Sequence, residues 1–380
     1  MEQQRQWEED FLSKVYQKLS WVTDEVQMLY PYRVEDGKYD NVSVPPFSWT
    51  CGFWGGIQWW LYRYSGEDKF FIKAKAASER MDEGLIAFDP LDHDTGFQYL
   101  LTTVADYVQT GCERARTSSL HAASVFAGRF NLTGRYIRAW NENPYIDGSE
   151  SKAGYAIIDC MMNIPLLFWA SEETGDPRYR QIAEAHEDTA MREFIREDGS
   201  SHHIIVFDPV SGKVVNRPKG QGYAEGSAWT RGQAWAIYGF ATAYAYTGKK
   251  EYLETSWKVA KYFMKHLPED GIPPVDFIQP EEPAYVDSSA GVIALCGLIE
   301  LQRWADEADK EWLECGIRKL LKGTYANCDF SRDTQAVMQN AMEMYHGSDK
   351  QVTLVYADFY LLEALMKRRG EKFVFAQSEV

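Results

Sequence analysis

The sequence predicts an all-α fold, a closed toroid of helical hairpins, and three observations predict it. Apolar residues recur at helical spacing along almost all of the 380-residue chain. Four of these runs end at Ser/Thr-Gly, namely Ser65-Gly66, Thr110-Gly111, Thr174-Gly175 and Thr247-Gly248, and another amphipathic run starts at once. About twelve periodic runs can be counted in all, enough to close a ring of paired helices.

Each element has its own reason. The runs fall near residues 5–28, 53–64, 67–86, 96–110, 112–128, 155–173, 177–194, 231–247, 249–267, 288–306, 309–326 and 352–369. A glycine just past a helix end accepts the left-handed backbone that closes the last turn, and the short link that follows turns the next helix back antiparallel. Phe70, Tyr179 and Tyr252 stand four residues beyond three of those glycines, as if each returning helix enters on the same aromatic anchor. In such a ring the inner helices surround a funnel, and the longer links at one rim wall the site. One of these links, His202 to Asp208, then Pro209-Val-Ser-Gly212, then Lys213 to Asn216, reads as a β-hairpin.

Composition bounds the rest. Hydrophobic residues make up 45% of the chain and charged residues 25%, with no shift that would mark a linker, so one domain spanning residues 1–380 is expected. The net charge of −16 repels polyanions and excludes a nucleic-acid partner, although a small anion can still enter a cleft beside a local arginine. No run is long and apolar enough for a membrane span, and the polar, acidic start lacks the features of an export signal, so a cytoplasmic enzyme is expected. The sequons Asn41-Val-Ser43 and Asn131-Leu-Thr133 would then go unused. Six scattered cysteines form no C-x-x-C pair and read as reduced, buried thiols.

The candidate chemistry is acidic. Asp159 is the most anomalous residue, a carboxylate inside Ile157-Ile-Asp159-Cys160-Met-Met162. Burial would raise its proton affinity and make it a general acid, or it braces two helices through a buried ion pair. Asp94 lies where a long link meets a helix, so either it or Asp92 serves as N-cap; His93 and the need for a second carboxylate favour catalysis for Asp94. Arg231 could grip a substrate carboxylate with its fork or pair with a buried Asp. The 13 Trp and 23 Tyr supply flat faces for sugar rings; Trp49 and Trp140, both in links, are the better stacking candidates, while Trp229 and Trp235, each taken singly more often core than platform, are also counted among the substrate-binding residues. His202 and His203 would point oppositely on a strand, so one of them could face the pocket. No His pair has metal-ligand spacing, since Ala190 stands where His186-Glu187 would need its second His. Gly220, Gly222 and Gly226 miss the dinucleotide fingerprint, and neither a metal nor an organic cofactor is expected.

With these residues in hand, the chain resembles the unsaturated glucuronyl hydrolases over nearly its whole length. The likeness is carried by Trp49-Thr-Cys-Gly-Phe-Trp54, His93-Asp94-Thr-Gly-Phe97, Arg138-Ala-Trp140, Ile157-Ile-Asp159-Cys160, Asn163-Ile-Pro-Leu-Leu167, Glu173-Thr-Gly-Asp176 and Ser200-Ser-His-His203. Trp229-Thr-Arg231-Gly-Gln-Ala-Trp235, Asp287-Ser-Ser-Ala290 and Asp358-Phe-Tyr-Leu-Leu-Glu-Ala364 complete it. The resemblance implies an (α/α)6 barrel without cofactor or metal, and a small unsaturated oligosaccharide as substrate. It implies Asp159 as acid/base catalyst assisted by Asp94, Trp49 and Trp140 for stacking, and His203, Gln221 and Arg231 for sugar and carboxylate contacts. It also brings Tyr345-His346 into a late loop of the site. The chain departs from the family at Ser48, at Asp92 of Asp92-His93-Asp94, and at Gly347-Ser348-Asp349-Lys350, where some members meet a substrate sulfate. The related unsaturated rhamnogalacturonyl hydrolases, a His-based sugar epimerase and a non-catalytic sugar-binding toroid are the competing expectations.

Overall fold

The computed structural model describes residues 2–27, 30–40, 47–142 and 151–373. The Asn41-Val-Ser43 sequon and residue 28 of the first expected helix lie outside them. Helix α1 (Glu2–Glu25) precedes the first hairpin, α2 (Cys51–Ser65) with α3 (Asp68–Arg80) and its short continuation α4 (Asp82–Ala87). The second hairpin sets α5 (Thr95–Tyr99), a π turn (Leu100–Val104) and α6 (Ala105–Thr110) against α7 (Glu113–Ala127). Then come α8 (Pro165–Thr174) with α9 (Pro177–Phe194), α10 (Thr230–Thr247) with α11 (Lys250–His266), α12 (Ser288–Gln302) with α13 (Glu307–Ala326), and finally α14 (Val355–Arg368).

The first member of each hairpin lies inside. Helix α10 packs on α12, α12 on α14, α14 on α2 and α2 on the π turn after α5, and α8 completes the ring, so the inner helices close on themselves. Their composition explains the placement: α12 is apolar all round and buried from Ser288 to Leu301, whereas α11 buries only the stripe Tyr252, Thr255, Ser256, Val259, Ala260 and Phe263. This is the (α/α)6 barrel. The chain's own ends supply its last pair, since α1 packs outside α14 and Arg368 pairs with Glu8 at 3.0 Å and Glu314 at 2.9 Å. One continuous apolar core runs from Phe11 to Phe373.

The four hairpin glycines behave as expected. Gly66, Gly111, Gly175 and Gly248 all adopt left-handed backbone, at φ 73°, 69°, 70° and 68°, and donate to the carbonyls of Tyr62, Tyr107, Ser171 and Tyr244. Phe70 and Tyr252 are buried anchors, whereas Tyr179 is only partly buried against the core, its hydroxyl 2.8 Å from that of Ser124. The expected hairpin is present as β6 (Ile204–Phe207) and β7 (Val214–Asn216), turning at Gly212 with φ 72°. Two small hairpins, Val34–Glu35 with Lys38–Tyr39 (β1, β2) and Phe130–Asn131 with Tyr136–Ile137 (β3, β4), were not expected.

Three helices differ from expectation. Residues 155–164 are not helical: Tyr155–Ile157 (β5) pairs antiparallel with β6, a 3-10 turn covers Ile158–Met162, and α8 begins at Pro165. Proline has no N–H to give a preceding turn and fits only the first turn of a helix. The run 67–86 breaks at Met81, whose carbonyl is taken by the Tyr99 hydroxyl at 2.9 Å. The run 96–110 swells into the π turn where Thr102 bonds the Gln98 carbonyl at 2.6 Å, competing with the backbone ladder. The thiols differ as well: all six are free, yet only Cys51, Cys160 and Cys296 are buried and Cys315 is exposed on α13.

A Cβ at Gly66, Gly111 or Gly175 would meet nothing within 4 Å, so only backbone strain opposes it. Gly175→Ala should therefore cost about 1 kcal/mol, read as a lower urea midpoint at unchanged slope. A loss above about 3 kcal/mol would show that packing, not handedness, selects the residue.

Candidate active site

The inner helices of the hairpins present their starts to one rim. Trp49 directly precedes α2, Asp94 precedes α5, Asp159 lies in the 3-10 turn before α8, and Trp229 precedes α10. These side chains line a cavity of about 370 Å³ together with His93, Trp140, Ile157, His203, Ile204, Gly220, Gln221, Arg231, Trp235 and Met344. The Asp94, Asp159 and His93 donor atoms fall within 4.8 Å of one another.

Asp94 occupies the N-cap position of α5 but does not cap it. Asn163 does so instead: its Oδ1 accepts from the Phe97 N–H at 2.6 Å, while its Nδ2 donates to Asp94 Oδ1 at 3.2 Å. Borrowing a cap from another hairpin frees the Asp94 carboxyl for the cavity. Asp92 turns inward, accepting the Asp94 N–H at 2.8 Å, and burial with the Asp94 charge pushes it up to about 6.

Asp159 is the exposed member of the pair, with 21% of its side chain accessible, and its Oδ1 makes no hydrogen bond. Burial drives its carboxyl well above its ordinary value, and the Asp94 and Asp92 charges push the same way against the opposing Arg231. Asp94 is raised too, chiefly by burial, with the Asn163 hydrogen bond and Arg129 holding it back. Two carboxyls this close compete for one proton, and the hydrogen bond from Asn163 favours the charge on Asp94 and the proton on Asp159. His93 lies between them, its Nε2 3.6 Å from Asp94 and its Nδ1 3.9 Å from Asp159. Burial lowers it to about 4, so it is neutral where the carboxyls exchange protons. Among the described residues these three are the set able to converge on a small cation.

The two neighbouring histidines, just before β6, turn to opposite sides. His203 faces the cavity, whereas His202 turns away to Arg196 at 3.0 Å. The Gln221 N–H donates to His203 Nδ1 at 3.0 Å, which leaves the proton on Nε2, and burial keeps the ring neutral by lowering it to about 3. Gly220 is required here, because a Cβ would sit 2.0 Å from His203 Nδ1. Its loop is braced by Asp276, a buried carboxylate that accepts from the N–H groups of Tyr223 at 3.0 Å, Ala228 at 3.2 Å and Ile278 at 3.1 Å.

Arg231 faces the cavity but is the partner of a buried Asp. Nη1 reaches Asp287 Oδ2 at 2.7 Å and the Met342 carbonyl at 2.5 Å, Nη2 reaches the Glu343 carbonyl at 2.6 Å, and the guanidinium stacks on Trp229 at 4.6 Å. It pins the late loop to the rim. That loop puts Met344 on the cavity wall, while Tyr345 is buried with its N–H on the Gln221 carbonyl and His346 bonds the Tyr223 carbonyl at 2.7 Å. Trp49 and Trp140 are half-buried, Trp49 leaning on Tyr356 at 5.0 Å and Trp140 on Tyr155 at 5.7 Å. Trp229 and Trp235 are buried and still border the cavity, and the Trp229 indole N–H makes no hydrogen bond. Asn163 and Gly220 were given no role in the site from sequence, and Asp276 and Arg129 were not singled out. An acid inside the apolar stretch Val275-Asp276-Phe-Ile278 was the available signal for Asp276.

A helical barrel with a proton-sharing carboxyl pair at its mouth defines a hydrolase that works on glycosides. The chain belongs to Glycosyl Hydrolase Family 88, whose family model matches residues 22–360. It is 38% identical over 341 residues to the unsaturated glucuronyl hydrolase of Bacillus sp. (strain GL1), covering 88% of this chain and 89% of the relative. It is 33% identical over 375 residues to the unsaturated chondroitin disaccharide hydrolase of Streptococcus pyogenes serotype M1, covering 94% and 92%. The solved structure of the unsaturated glucuronyl hydrolase responsible for the degradation of glycosaminoglycan from Bacillus sp. GL1 superposes with a TM-score of 0.89 at 32% identity, over 99% of this chain and 100% of that one.

A carboxyl whose proton affinity is raised by folding lowers stability as pH climbs from its ordinary value of 3.8 through its folded value. Asp159→Asn removes that loss. Its melting temperature should match the parent below about pH 4 and exceed it by a few degrees near neutrality. Equal melting temperatures at pH 8 would mean that Asp159 is not held protonated.

Proposed function

We propose that this chain removes the 4,5-unsaturated glucuronic acid from the non-reducing end of lyase-generated oligosaccharides by hydrating the C4=C5 enol ether. The observation that carries the reading is Asp159 on the cavity beside Asp94, its Oδ1 without a hydrogen bond and its carboxyl raised well above the ordinary value by burial. Relatives named for unsaturated glucuronyl and chondroitin disaccharide hydrolysis support glycosaminoglycan-type disaccharides as the substrate.

Protonated Asp159 gives its proton to C4, and positive charge grows at C5 and the ring oxygen. Asp94 holds the ring hydroxyls and offsets that charge. Ionised Asp159 then takes a proton from water as its oxygen attacks C5, which restores the acid. The hemiketal opens spontaneously and releases the remaining sugar. Carboxyl oxygens within 4.8 Å fall short of the separation, about 6.5–9.5 Å, that holds a water between the acids of an inverting glycosidase. Trp49 and Trp140 flank the ring, His203 Nε2–H and Gln221 donate to it, and Arg231, Trp229, Trp235, Tyr345 and His346 form and hold the wall. The whole chain acts as one catalytic domain, and its six free thiols suit a reducing cytoplasm.

The His-based epimerase reading is disfavoured, because His93 and His203 at about 4 and 3 are poor bases near neutral pH. No helix among the described residues is long and apolar enough to cross a membrane.

Loss of the double bond's ultraviolet absorbance should be seen with unsaturated chondroitin or hyaluronan disaccharides and not with the rhamnogalacturonan disaccharide. The opposite preference would move the chain to pectin fragments, and no loss on any would sink the reading. Asp159→Asn should cut kcat by at least about 10²–10⁴-fold with folding intact, and a normally active variant would exclude the acid/base role.

A further inference from the structure

We propose that His93, Asp94 and Asp159 form a binding site for a divalent transition-metal ion of the zinc class, which acts as an inhibitor and not as a cofactor. The site is read from geometry; the inhibition rests on the acid role given to Asp159 above. Two neighbouring carboxyls alone would not make such a site. The further observation is His93, of which only 1% is exposed and whose Nδ1 makes no hydrogen bond. That nitrogen faces Asp159 Oδ1 at 3.9 Å, and Oδ1 is likewise without a partner. Two buried polar atoms aimed at each other from beyond hydrogen-bond reach are satisfied by a ligand between them.

On its other side the ring sets Nε2 3.6 Å from Asp94 Oδ2, while Asn163 holds Asp94 Oδ1 at 3.2 Å. Asn163 thus orients the Asp94 carboxylate as outer groups orient the ligands of a metal. One donor atom from each of the three side chains lies within 4.8 Å of the others. Ligand atoms about 2.0–2.2 Å from a tetrahedral zinc ion stand about 3.4 Å apart, so the trio has to draw in by about an ångström. Asp159, with 21% of its side chain accessible and Oδ1 unheld, is the member able to do so. No competing cation is bonded there. Among the described residues no lysine or arginine bonds either carboxyl, and Arg231 on the cavity wall is held by Asp287 at 2.7 Å.

The donor set selects the ion. One imidazole nitrogen with two carboxylate oxygens suits zinc, with copper and nickel beside it, whereas calcium and magnesium want an all-oxygen shell. Three protein ligands leave a fourth position to water on the cavity side. As the ion enters, a proton held by the pair leaves to solvent, because coordinated carboxyls are ionised. Asp159 then has no proton to give to C4.

The test is calorimetric titration of the full chain with zinc chloride, which needs no substrate. Binding should be one-to-one and at least about 100-fold tighter than for magnesium chloride. Asp159→Asn and His93→Ala should each weaken it by at least about tenfold. Cys315→Ser, which removes the exposed thiol on α13, should leave it unchanged. Zinc bound no tighter than magnesium, binding that survives Asp159→Asn, or binding lost in Cys315→Ser overturns the proposal. Should His93→Ala not fold, Asp94→Asn takes its place, since it removes a ligand charge and keeps the side-chain shape. Zinc should also halve turnover of an unsaturated chondroitin disaccharide at the concentration that half-fills the site, and EDTA should restore it. A filled site with full turnover would overturn the inhibition and count against the acid role of Asp159. A chain inactive on every unsaturated disaccharide would count against the reaction, while the titration would still decide the site.

Discussion

Everything at the mouth follows from setting two carboxyls side by side where little water reaches them. Neither can be ionised without cost in such a wall, and both together still less, so the pair keeps one proton between them over the range where free carboxyls would have none. That single constraint explains the neighbours. The imidazoles of His93 and His203 are neutral, because a buried cation would need a partner of its own. The guanidinium that does reach the cavity, Arg231, brings Asp287 with it, and that aspartate is wholly buried.

The barrel meets this constraint through its connections more than its helices. Each inner helix begins at the same rim, so the residues just before them fall together although they are spread from Trp49 to Trp229 in sequence. The helix starts also want acceptors, and here the structure trades them between hairpins. Asn163 caps α5 and thereby releases Asp94; Asp287 caps α12 and holds Arg231 at once. Breaking either exchange would disturb two helices and the cavity together. The β5–β6–β7 sheet does the remaining work, fixing Ile157 opposite Ile204 so that Asp159 and His203 emerge from adjacent strand ends.

What the sequence disclosed was what is decided locally. The hairpin glycines were legible because handedness depends on one residue, and all four adopt it. Asp159 was legible because a charge amid Ile, Cys and Met needs an explanation wherever it lies. Its surroundings were misread as continuous helix, since an apolar run carries no period that separates a buried strand and turn from a helix, and Pro165 alone marked the true start. The role of Asn163, and Asp276 altogether, were not legible, because most of their partners are groups distant in sequence that only the folded chain brings near. Arg231 kept two readings open until Asp287, 56 positions away, was seen against it. The family resemblance named the carboxyls and could not name the groups that set their charges.

The molecule carries a net charge of −16, yet the proposed substrate is an anion. Screening removes most of that conflict, because charges beyond about 8 Å are largely invisible at physiological ionic strength. Within the cavity a second conflict remains. A free cation near Asp159 would help to bind a uronate carboxylate and would also strip the acid of the proton it must deliver. The arrangement avoids this with a donor that carries no charge, the Nε2–H of His203. The one guanidinium on the cavity wall does no such harm, since Asp287 neutralises it. Binding an acid beside an acid thus requires a neutral hydrogen bond at the ring and a cation that is already paired, which is the distribution these residues provide.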